Sequence, residues 1–519
     1  MPSIPSMIAA DYGVMGDILR ERAAEAPDHP AVIMETGETI TYAAFDALTD
    51  RVAAALQRDG IQPGEAIAVC ALSSIPYAAV FLGGLRAGVA VAPLAPSSTP
   101  EAIAGMVADC GAKLFFVDAG VAQAQKPAPI AARTIALDGS TAGETFDAWL
   151  APEGATPAPV EIGPEHPFNI IYSSGTTGAP KGIVQSHGMR WKHVFRGDAV
   201  GYGADAVTLL STPLYSNTTL VCFFPTLAGG GTVVLMKKFD AGRFLELAQT
   251  HRMTHAMLVP VQYRRLLAHP EFDAFDLSAT RLKFCTSAPF AAELKAQVLE
   301  RWPGGLVEYF GMTEGGGTCI LMAHEHPDKL HTVGRPAPGH DIRLIDEDGV
   351  EVAVGEIGEI VGCSPATMSG YHGQPGKTAE AIWTSPDGRR FVRTGDVGRF
   401  DAEGFLTLMD RKKDMIISGG FNIYPSDLEA VVATHPDVLE AAVVGVPSDA
   451  WGETPVAFVA LRPGAAADAQ AVRAFANERL GKTQRLADLV LVDALPRSHI
   501  GKVLKRELRD GWRPKTPLS

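Results

Sequence analysis

Short apolar runs alternate with amphipathic stretches along most of the chain. The apolar runs are typical of buried strands, and the stretches between them repeat apolar residues with the period of a helix. Near the N-terminus this pattern predicts strands at residues 31–34, 67–70, 89–94 and 114–117, with helices between them. Strands that alternate with helices form parallel or mixed sheets covered on both faces. The pattern therefore predicts an α/β fold, whereas residues 119–167, rich in Ala, Pro, Gly and Thr, are expected to be irregular.

The strands that follow end in residues that suit a binding site. They are predicted at residues 207–211, 255–259, 282–285 and 306–310, and each is followed directly by Gly, Pro or Thr. Ligands of open α/β sheets gather at the carboxyl ends of the strands. We therefore expect the main pocket at this edge of the sheet.

The sequence changes character twice toward the C-terminus. From residue 334 to residue 411, short strands separated by Gly, Asp and Pro turns predict a β-rich subdomain. A charged break follows at residues 410–414, and beyond it helices and strands alternate in an α+β unit of ordinary domain size. The sequence thus predicts a large N-terminal domain of mixed α/β sheets with a β-rich subdomain at residues 1–411, and a small α+β domain at residues 412–519.

Composition narrows the classes of partner. The formal charge of −14, from 45 basic and 59 acidic residues, argues against a surface for nucleic acid or anionic membrane. The apolar stretch at residues 76–95 is interrupted by Arg86 and Pro93, which predicts a buried helix and strand rather than a membrane span. The 6 cysteines form no C-x-x-C pair, and the N-terminus lacks a signal-peptide pattern. Together these features favour a cytoplasmic protein with buried thiols.

The most distinctive stretch reads S-S-G-T-T-G-A-P-K-G at residues 173–182 and follows an apolar run at residues 168–172 that predicts a strand. Glycines let backbone N–H groups approach an anion, hydroxyls add donors, and Lys181 adds a positive charge. This composition predicts a phosphate-binding loop. It is not a Walker loop, because Pro180 precedes Lys181 and Gly182 follows it. The alternative interpretation is a plain flexible turn.

Five further motifs follow the loop in order. They read G-M-T-E at 311–314, R-T-G-D at 393–396, D-R-K-K-D at 410–414, S-G-G-F-N at 418–422 and P-R-S-H-I-G-K at 496–502. With the loop, they make the chain resemble the adenylate-forming superfamily, which comprises acyl-CoA synthetases, peptide-synthetase adenylation domains and beetle luciferases. The resemblance implies a mobile C-terminal domain. It also implies an enzyme that joins a carboxylic acid to the AMP part of ATP, releases pyrophosphate, and passes the acyl group to a thiol.

The resemblance implies how the phosphates of ATP are held. The glycine-rich loop would grip the β- and γ-phosphates, and Thr313 would contact the α-phosphate. Glu314 would hold Mg²⁺, since one carboxylate together with phosphate oxygens and water suits that ion. The loop residues assigned to ATP are Ser173, Ser174, Gly175, Thr176, Thr177, Gly178 and Lys181.

The resemblance also assigns the nucleoside. Asp396 would accept both ribose hydroxyls with its two carboxylate oxygens, and Arg411 would support the ribose. The family usually carries Tyr before the glycine that corresponds to Gly311, and that ring stacks on adenine. This chain has Phe310 there, with Tyr309 just before it, so either ring can serve.

Lys502 is, by resemblance, the catalytic lysine of the first step, where it would bridge the substrate carboxylate and ATP. An ammonium group on a flexible stem can donate to both reactants. Lys413 matches the hinge position of the family. Rotation there would withdraw Lys502 and bring Gly419, Gly420 and Phe421 to the site, with the glycines lining a passage for CoA. A solvated surface lysine and an ordinary turn are the respective alternatives.

The acyl pocket is expected at the strand ends. Many family members carry His where this chain has Ser216, and the glycines at residues 315–317 are expected to leave space beside the reacting carbon. We expect Arg264 and Arg265 to point away, which favours a neutral, bulky acid of aromatic or phenylpropenoic type. A branched or medium-length aliphatic acid stays an alternative. The residues assigned to the pocket are Tyr215, Ser216, Thr286, Ser287, Ala288 and Gly316, with residues 261–263 beside them.

The leading interpretation is an AMP-forming acyl-CoA ligase that uses ATP, Mg²⁺, CoA and a small carboxylic acid. Two alternatives stay open. One is a freestanding adenylation enzyme that loads a carrier-protein thiol, and the other is a nucleotide-binding relative without catalysis. Nucleic acid and an integral membrane position are not expected, and the sequence leaves a homodimer open.

Overall fold

A computed structural model describes residues 10–173, 181–195, 200–411, 414–418, 421–448, 451–481, 484–497 and 503–513. The chain groups into two compact units. The first extends to His331 and adds Pro336–Asp341 and Gly362–Val392. The second consists of Thr332–Arg335, Ile342–Val361 and the chain from Arg393 onward. It thus contains part of the β-rich segment together with the predicted C-terminal domain, and the domain boundary between residues 411 and 412 stays a prediction.

The strands are named here in chain order. They are β1 (Pro30–Met34), β2 (Thr39–Thr41), β3 (Ala66–Cys70), β4 (Ala90–Pro93), β5 (Leu114–Val117), β6 (Arg133–Ala136), β7 (Glu144–Thr145), β8 (Pro167–Ser173), β9 (Lys181–Ser186), β10 (Val207–Leu210), β11 (Thr232–Leu235), β12 (His255–Leu258), β13 (Leu282–Cys285), β14 (Gly305–Phe310), β15 (Cys319–Met322), β16 (Arg335–Pro336), β17 (Asp341–Ile345), β18 (Gly358–Cys363), β19 (Gly370–Tyr371), β20 (Ile382–Thr384), β21 (Arg390–Phe400), β22 (Leu406–Arg411), β23 (Ile416–Ser418), β24 (Phe421–Ile423), β25 (Val438–Ser448), β26 (Gly452–Leu461) and β27 (Asp488–Leu491).

The α-helices follow the same convention. They are α1 (Met15–Glu25), α2 (Tyr42–Arg58), α3 (Ile75–Arg86), α4 (Pro100–Asp109), α5 (Ala119–Gln125), α6 (Phe146–Trp149), α7 (His187–Phe195), α8 (Asn217–Gly229), α9 (Ala241–Thr250), α10 (Pro260–Leu267), α11 (Ala292–Arg301), α12 (Pro375–Glu380), α13 (Pro425–Ala433), α14 (Ala469–Arg479) and α15 (Lys505–Gly511). Short 3-10 helices lie at Phe272–Ala274 and Pro327–Lys329.

One large sheet carries the strand ends that the sequence marks as a binding site. Its order is β16-β15-β14-β13-β12-β10-β11-β1-β2. Strands β10 to β14, together with β1, pair in parallel, so their carboxyl ends lie at one edge. The predicted α/β arrangement of this region is therefore confirmed, and the predicted site residues after β10, β13 and β14 share that edge.

A second sheet of order β19-β9-β8-β4-β3-β5-β6-β7 lies in the same unit. Its last two strands come from residues 119–167, so the expectation that this stretch is irregular was wrong. Helix α5 begins with a cap in which the Asp118 side chain accepts from Val121 N, and β6 then pairs in parallel with β5. Ile135 and Ala136 of β6 are fully buried. These elements are too short to show a period in the sequence, and neighbouring strands stabilise them.

The main hydrophobic core joins residues from both sheets around α3. Every residue of α3 except Pro76 is buried, because the helix is covered on all sides, and its mixed Ala, Val, Phe and Leu composition matches that position. The Ser74 side chain caps its start by accepting from Tyr77 N. At its last residue, Arg86 pairs with Asp46 and Asp50 of α2 at 2.5 and 2.7 Å, which anchors the end of the helix.

The second unit contains the helices and strands of the predicted α+β arrangement. Strand β21 pairs antiparallel with β22 through its later residues, and β17 and β18 lie beside each other. A further sheet has the order β24-β23-β26-β25, with β27 beside β26. Helices α13 and α14 cover one face of that sheet, where Ile416, Leu428, Val443, Val459 and Val472 form a core with their neighbours.

The membrane and cysteine predictions can also be compared with the structure. Within the described ranges, no helix is both long and apolar enough to cross a bilayer. Five cysteines are buried, Cys363 is half-buried, and all six are free thiols, as expected from the sequence. The cytoplasmic location stays a prediction.

Candidate active site

The predicted phosphate-binding loop joins the two strands of a β-hairpin. Strands β8 and β9 run antiparallel, with Ser173 opposite Lys181, so the two ends of the loop are held side by side. Lys181 is the first residue of β9, and its backbone is fixed by the sheet. The other loop residues predicted to bind ATP lie outside the described residues: Ser174, Gly175, Thr176, Thr177 and Gly178.

Lys181 and Glu314 meet at the same tyrosine. The Lys181 ammonium lies 4.9 Å from the centre of the Tyr371 ring, and the Tyr371 hydroxyl donates to Glu314 Oε1 at 3.0 Å. Strand β19 pairs antiparallel with β9 and places Tyr371 opposite Ile183. Burial, followed by the charge of Glu314, raises the pKa of Tyr371, which keeps its hydroxyl a donor at neutral pH. Sequence reasoning missed Tyr371, since its segment carries no periodic signal.

The backbone of Thr313 and Glu314 is fixed from two sides. Gln185, fully buried in β9, donates from Nε2 to the Thr313 carbonyl at 2.6 Å. The Met368 N–H donates to the Glu314 carbonyl at 2.8 Å. The turn that carries both predicted catalytic side chains is thus tied to the strand that follows the phosphate loop.

Tyr309 and Phe310 lie on opposite faces of β14, because successive side chains of a strand alternate. The Tyr309 ring packs against Phe284 at 5.8 Å in the main core. Phe310 therefore projects from the other face, next to Gly311. This arrangement favours Phe310 over Tyr309 for stacking on adenine, and the assignment stays a proposal.

The glycines after Glu314 were expected to leave free space. On the side where a side chain would project, that space is filled by other parts of the chain. A Cβ on Gly315 would lie 1.9 Å from the Ala366 carbonyl oxygen, and one on Gly316 would lie 2.7 Å from Val392 Cβ. Both residues also have positive φ values, 75° and 83°. Glycine is needed here so that two segments of backbone can touch.

Two predicted pocket segments meet through their hydroxyl groups. The hydroxyls of Thr218 and Ser287 lie 2.6 Å apart and link the first turn of α8 to the loop after β13. Ser287 adopts φ 81°, a rare conformation for a residue other than glycine and one that is concentrated at functional sites. Ser216 is the cap position of α8, and burial raises the pKa of the adjacent Tyr215 to about 12. Thr286 and Ala288 flank Ser287 and are half-buried.

One expected pocket contributor belongs to the core instead. Tyr263 is fully buried, stacks on Phe290 and donates its hydroxyl to the Phe284 carbonyl at 2.9 Å. Its helix, α10, turns Tyr263 inward and leaves Arg264 and Arg265 exposed, as the sequence predicted. Tyr263 thus packs in the core, because a helical period alone does not say which buried face lines a pocket, and the assignment of residues 261 and 262 stays a prediction.

The two residues predicted at the ribose are cross-strand partners. In the second unit, Asp396 of β21 stands directly opposite Arg411 of β22. The Asp396 N–H donates to the Thr394 hydroxyl at 3.0 Å, and that hydroxyl donates to the Ile360 carbonyl at 2.8 Å. Gly395 has φ 70° within β21, and the hydrogen bonds of Thr394 fix the backbone next to Asp396.

The described residues on either side of the Lys502 motif pair with each other. Arg497 and Val503 form an isolated antiparallel bridge, and the Leu504 N–H donates to the Pro496 carbonyl at 2.8 Å. Arg497 also pairs with Glu440 of β25. Strands β23 and β24 similarly pair Ser418 with Phe421. The predicted residues Lys413, Gly419, Gly420 and Lys502 themselves lie outside the described residues.

The described acidic groups fit a magnesium ion that arrives with a nucleotide. Magnesium in phosphate-transfer sites is held by one or two carboxylates together with phosphate oxygens and water. Glu314 supplies such a carboxylate and is oriented by Tyr371. No group of three His, Cys, Asp or Glu side chains in the described part of the chain could hold a metal alone.

Comparison with known proteins adds independent evidence. Residues 19–372 match the family profile described as AMP-binding enzyme, and residues 427–502 match that of the AMP-binding enzyme C-terminal domain. The chain belongs to the AMP-binding enzyme family. This membership confirms the predicted adenylate-forming superfamily and the α/β fold with an additional C-terminal domain.

Relatives of this family member resemble it over nearly their whole length. A fatty acid–[acyl-carrier-protein] ligase, ScoC of Streptomyces coeruleorubidus, is 32% identical over 94% of this chain and 94% of its own. A feruloyl-CoA synthase of an Amycolatopsis species is 33% identical over 94% of this chain and 97% of its own. The crystal structure of ATP-bound MatB from Rhodopseudomonas palustris has a TM-score of 0.85 at 30% identity, covering 96% of this chain and 98% of that one. The predicted enzyme class, an AMP-forming acid–thiol ligase, is thus confirmed.

Proposed function

We propose that this family member activates a carboxylic acid with ATP and Mg²⁺ to an acyl-adenylate and transfers the acyl group to CoA. One observation carries the residue assignments. The described lysine and glutamate of two separate motifs meet at Tyr371, beside a turn that β9 holds by a buried glutamine. Such an arrangement offers positive charge and an oriented carboxylate at the end of a phosphate-binding hairpin.

The first step brings a carboxylate to a phosphate, and the two repel each other. Catalysis of such a step depends on positioning and on neutralising charge. Lys181 would neutralise charge on the β- and γ-phosphates, and Thr313 would contact the α-phosphate. Glu314 would hold Mg²⁺. Mg²⁺, when bound, would neutralise charge on the phosphate oxygens. Lys502 donates to both reactants, so it lowers their repulsion at the moment the oxygen–phosphorus bond forms.

We infer that the acid is aromatic, with the feruloyl-CoA synthase as support. The paired hydroxyls of Thr218 and Ser287 would offer a polar contact to a substituent on the ring. The exposed Arg264 and Arg265 supply no cation to the pocket side of α10, which is consistent with a neutral acyl group. A branched or medium-length aliphatic acid is the alternative substrate.

A carrier-protein thiol is a second candidate for the acceptor. The relative ScoC is named for a carrier-protein acceptor, and its identity to this chain is close to that of the feruloyl-CoA synthase. The adenylation half of the reaction is the same in both cases. The two candidates differ in which thiol attacks the acyl carbon.

A panel of acids offered with MgATP and each acceptor tests the proposal. We expect AMP release that depends on both an acid and CoA, with phenylpropenoic or arylacetic acids turning over faster than aliphatic acids of equal size. Comparable release with a phosphopantetheinylated carrier protein and none with CoA would support the second candidate instead. Faster turnover of aliphatic acids would contradict the aromatic assignment while leaving the reaction class intact.

A further inference from the structure

A buried arginine lies behind the predicted catalytic turn. Arg190 of α7 is 2% exposed, and its Nη2 donates to the side chains of Gln185 and Asn217, the latter at 2.6 Å. Its guanidinium lies 5.8 Å from the centre of the Phe168 ring. Neither the motifs nor the apolar pattern of the sequence singled out Arg190.

The positive charge of Arg190 has no counter-ion among the residues that the structure describes. Nε and Nη1 of its guanidinium also have no hydrogen-bond partner in the described part of the chain. Burial, which removes the guanidinium from water, lowers the pKa of Arg190. An uncompensated buried charge destabilises a fold, and an apolar side chain of similar volume packs at lower cost. Stability alone therefore does not account for an arginine at this position.

The polar contacts of Arg190 lead to the site. Gln185 accepts from Arg190 through Oε1 and donates through Nε2 to the Thr313 carbonyl at 2.6 Å. The guanidinium is thus two hydrogen bonds from the backbone of the residue proposed to contact the α-phosphate. On its other side, Asn217 is the first residue of α8 and follows Ser216 of the proposed acyl pocket.

We propose that Arg190 is a positioning residue for adenylate formation. It fixes Gln185, which fixes the Thr313 carbonyl, and it aligns the start of α8 through Asn217. Its uncompensated charge also favours anionic reactants near Thr313, since charges interact strongly where water is excluded. The inference rests on the proposed function, because it concerns the same first step. Arg190 would act through Gln185 and Asn217 and not by direct contact with either reactant.

A second buried cation in the same unit serves as a matched control. Lys283 of β13 is fully buried and donates to the carbonyls of Trp302, Pro303 and Gly304 at 3.0, 2.7 and 2.7 Å. These carbonyls follow the end of α11, so the contacts of Lys283 hold the fold together. Removing Lys283 would leave three backbone carbonyls without this donor, whereas removing Arg190 would leave two side-chain acceptors, Gln185 Oε1 and Asn217 Oδ1.

The test compares Arg190→Met, Arg190→Lys and Lys283→Met in acid-dependent exchange of labelled pyrophosphate into ATP, together with thermal unfolding. For Arg190→Met we expect the maximal exchange rate to fall about tenfold or more, with KM for acid and ATP changed less than about threefold. Its unfolding temperature should change less than that of Lys283→Met, because relief of the buried charge offsets the loss of two hydrogen bonds. Arg190→Lys, which keeps the charge, should recover part of the rate. Lys283→Met should unfold at lower temperature but exchange normally per folded molecule.

Two results would overturn the inference. The first is an Arg190→Met protein that exchanges at the wild-type rate. The second is one whose rate falls only in proportion to its loss of folded protein, as a purely structural role requires. A wild-type protein that exchanges with none of the acids would overturn the proposed function itself, so the two failures are distinguishable.

Discussion

At the scale of single residues, the site depends on side chains that orient other side chains. Glu314 can serve a metal only if its carboxylate is held in place, and the Tyr371 hydroxyl provides that hold at 3.0 Å. The same ring lies against the Lys181 ammonium. Tyr371 therefore links Lys181, at the end of the predicted phosphate-binding loop, to the turn that carries Glu314.

Replacing Tyr371 with Phe keeps the ring near Lys181 and removes the hydrogen bond to Glu314. We expect the magnesium concentration needed for half-maximal adenylation to rise several-fold, since a less ordered carboxylate binds the ion less well. The rate at saturating magnesium should fall by less than about tenfold. Steady-state pyrophosphate release across a magnesium titration measures both effects.

Tyr12→Phe is the matched control, because the Tyr12 hydroxyl also donates a single hydrogen bond, to the Ile162 carbonyl at 2.9 Å, outside the site. It should leave the magnesium titration unchanged. An unchanged titration for Tyr371→Phe as well would mean that Glu314 needs no help from this hydroxyl.

The motif residues of the site could be predicted from the sequence, whereas the residues that hold them could not. Thr313, Glu314 and Lys181 stand in recognisable patterns. Gln185 bonds Thr313 across 128 residues of sequence, Tyr371 bonds Glu314 across 57, and Arg190 acts through Gln185. Such pairings follow from strand order and not from local spacing. The role of the glycines at 315 and 316 could not be predicted either, because it depends on close contacts with residues 366 and 392, which are distant in the sequence.

At the scale of elements, the first residue of α7 is unusual. His187 is 3% exposed, its ring meets the edge of Phe168 at 4.9 Å, and its Nε2 has no described hydrogen-bond partner. Burial, followed by the nearby His166, lowers the pKa of His187 to about 4. The start of α7, which also carries Arg190, is therefore built around a neutral imidazole.

This burial predicts a pH-dependent loss of stability. The pKa of His187 is lower in the folded state than in the unfolded state, so its contribution is present above about pH 6.5 and is lost as pH falls toward 4. The free energy of unfolding should drop by about 3 kcal/mol over that window from this group. In His187→Phe that part of the drop should disappear, as measured by denaturant unfolding at several pH values.

His331→Gln is the control, because His331 is exposed. It should unfold with the pH dependence of the wild-type protein. If His187→Phe loses as much stability between pH 6.5 and 4 as the wild type does, the imidazole is not the group that titrates.

Strands that are mostly apolar runs bounded by turn residues could be predicted, and short elements of mixed composition could not. The parallel strands β10, β12, β13 and β14 were placed within a residue or two, because each is a mostly apolar run bounded by turn residues. Strands β6 and β7 and helix α6 have four residues or fewer, and their stability comes from the strands beside them. Their sequences, R-T-I-A, E-T and F-D-A-W, contain no apolar run that would signal that support.

At the scale of the whole molecule, adenylate formation and thiol attack would use two different groups of residues. Lys502 would act in adenylate formation, and Gly419, Gly420 and Phe421 would act when the thiol attacks. A rotation at Lys413 would exchange them, as hinge movements do in enzymes with lids. The sequence predicts this division from motifs alone.

The most direct test measures the two half-reactions separately in the wild-type protein and in Lys502→Ala. The account predicts acid-dependent exchange of pyrophosphate into ATP by the wild type, a loss of at least about 100-fold in Lys502→Ala, and nearly normal attack of CoA on a supplied acyl-adenylate by that variant. Equal loss of both half-reactions would contradict the role of Lys502. A wild-type protein that never exchanges pyrophosphate with any acid would contradict the central claim that this site forms an acyl-adenylate.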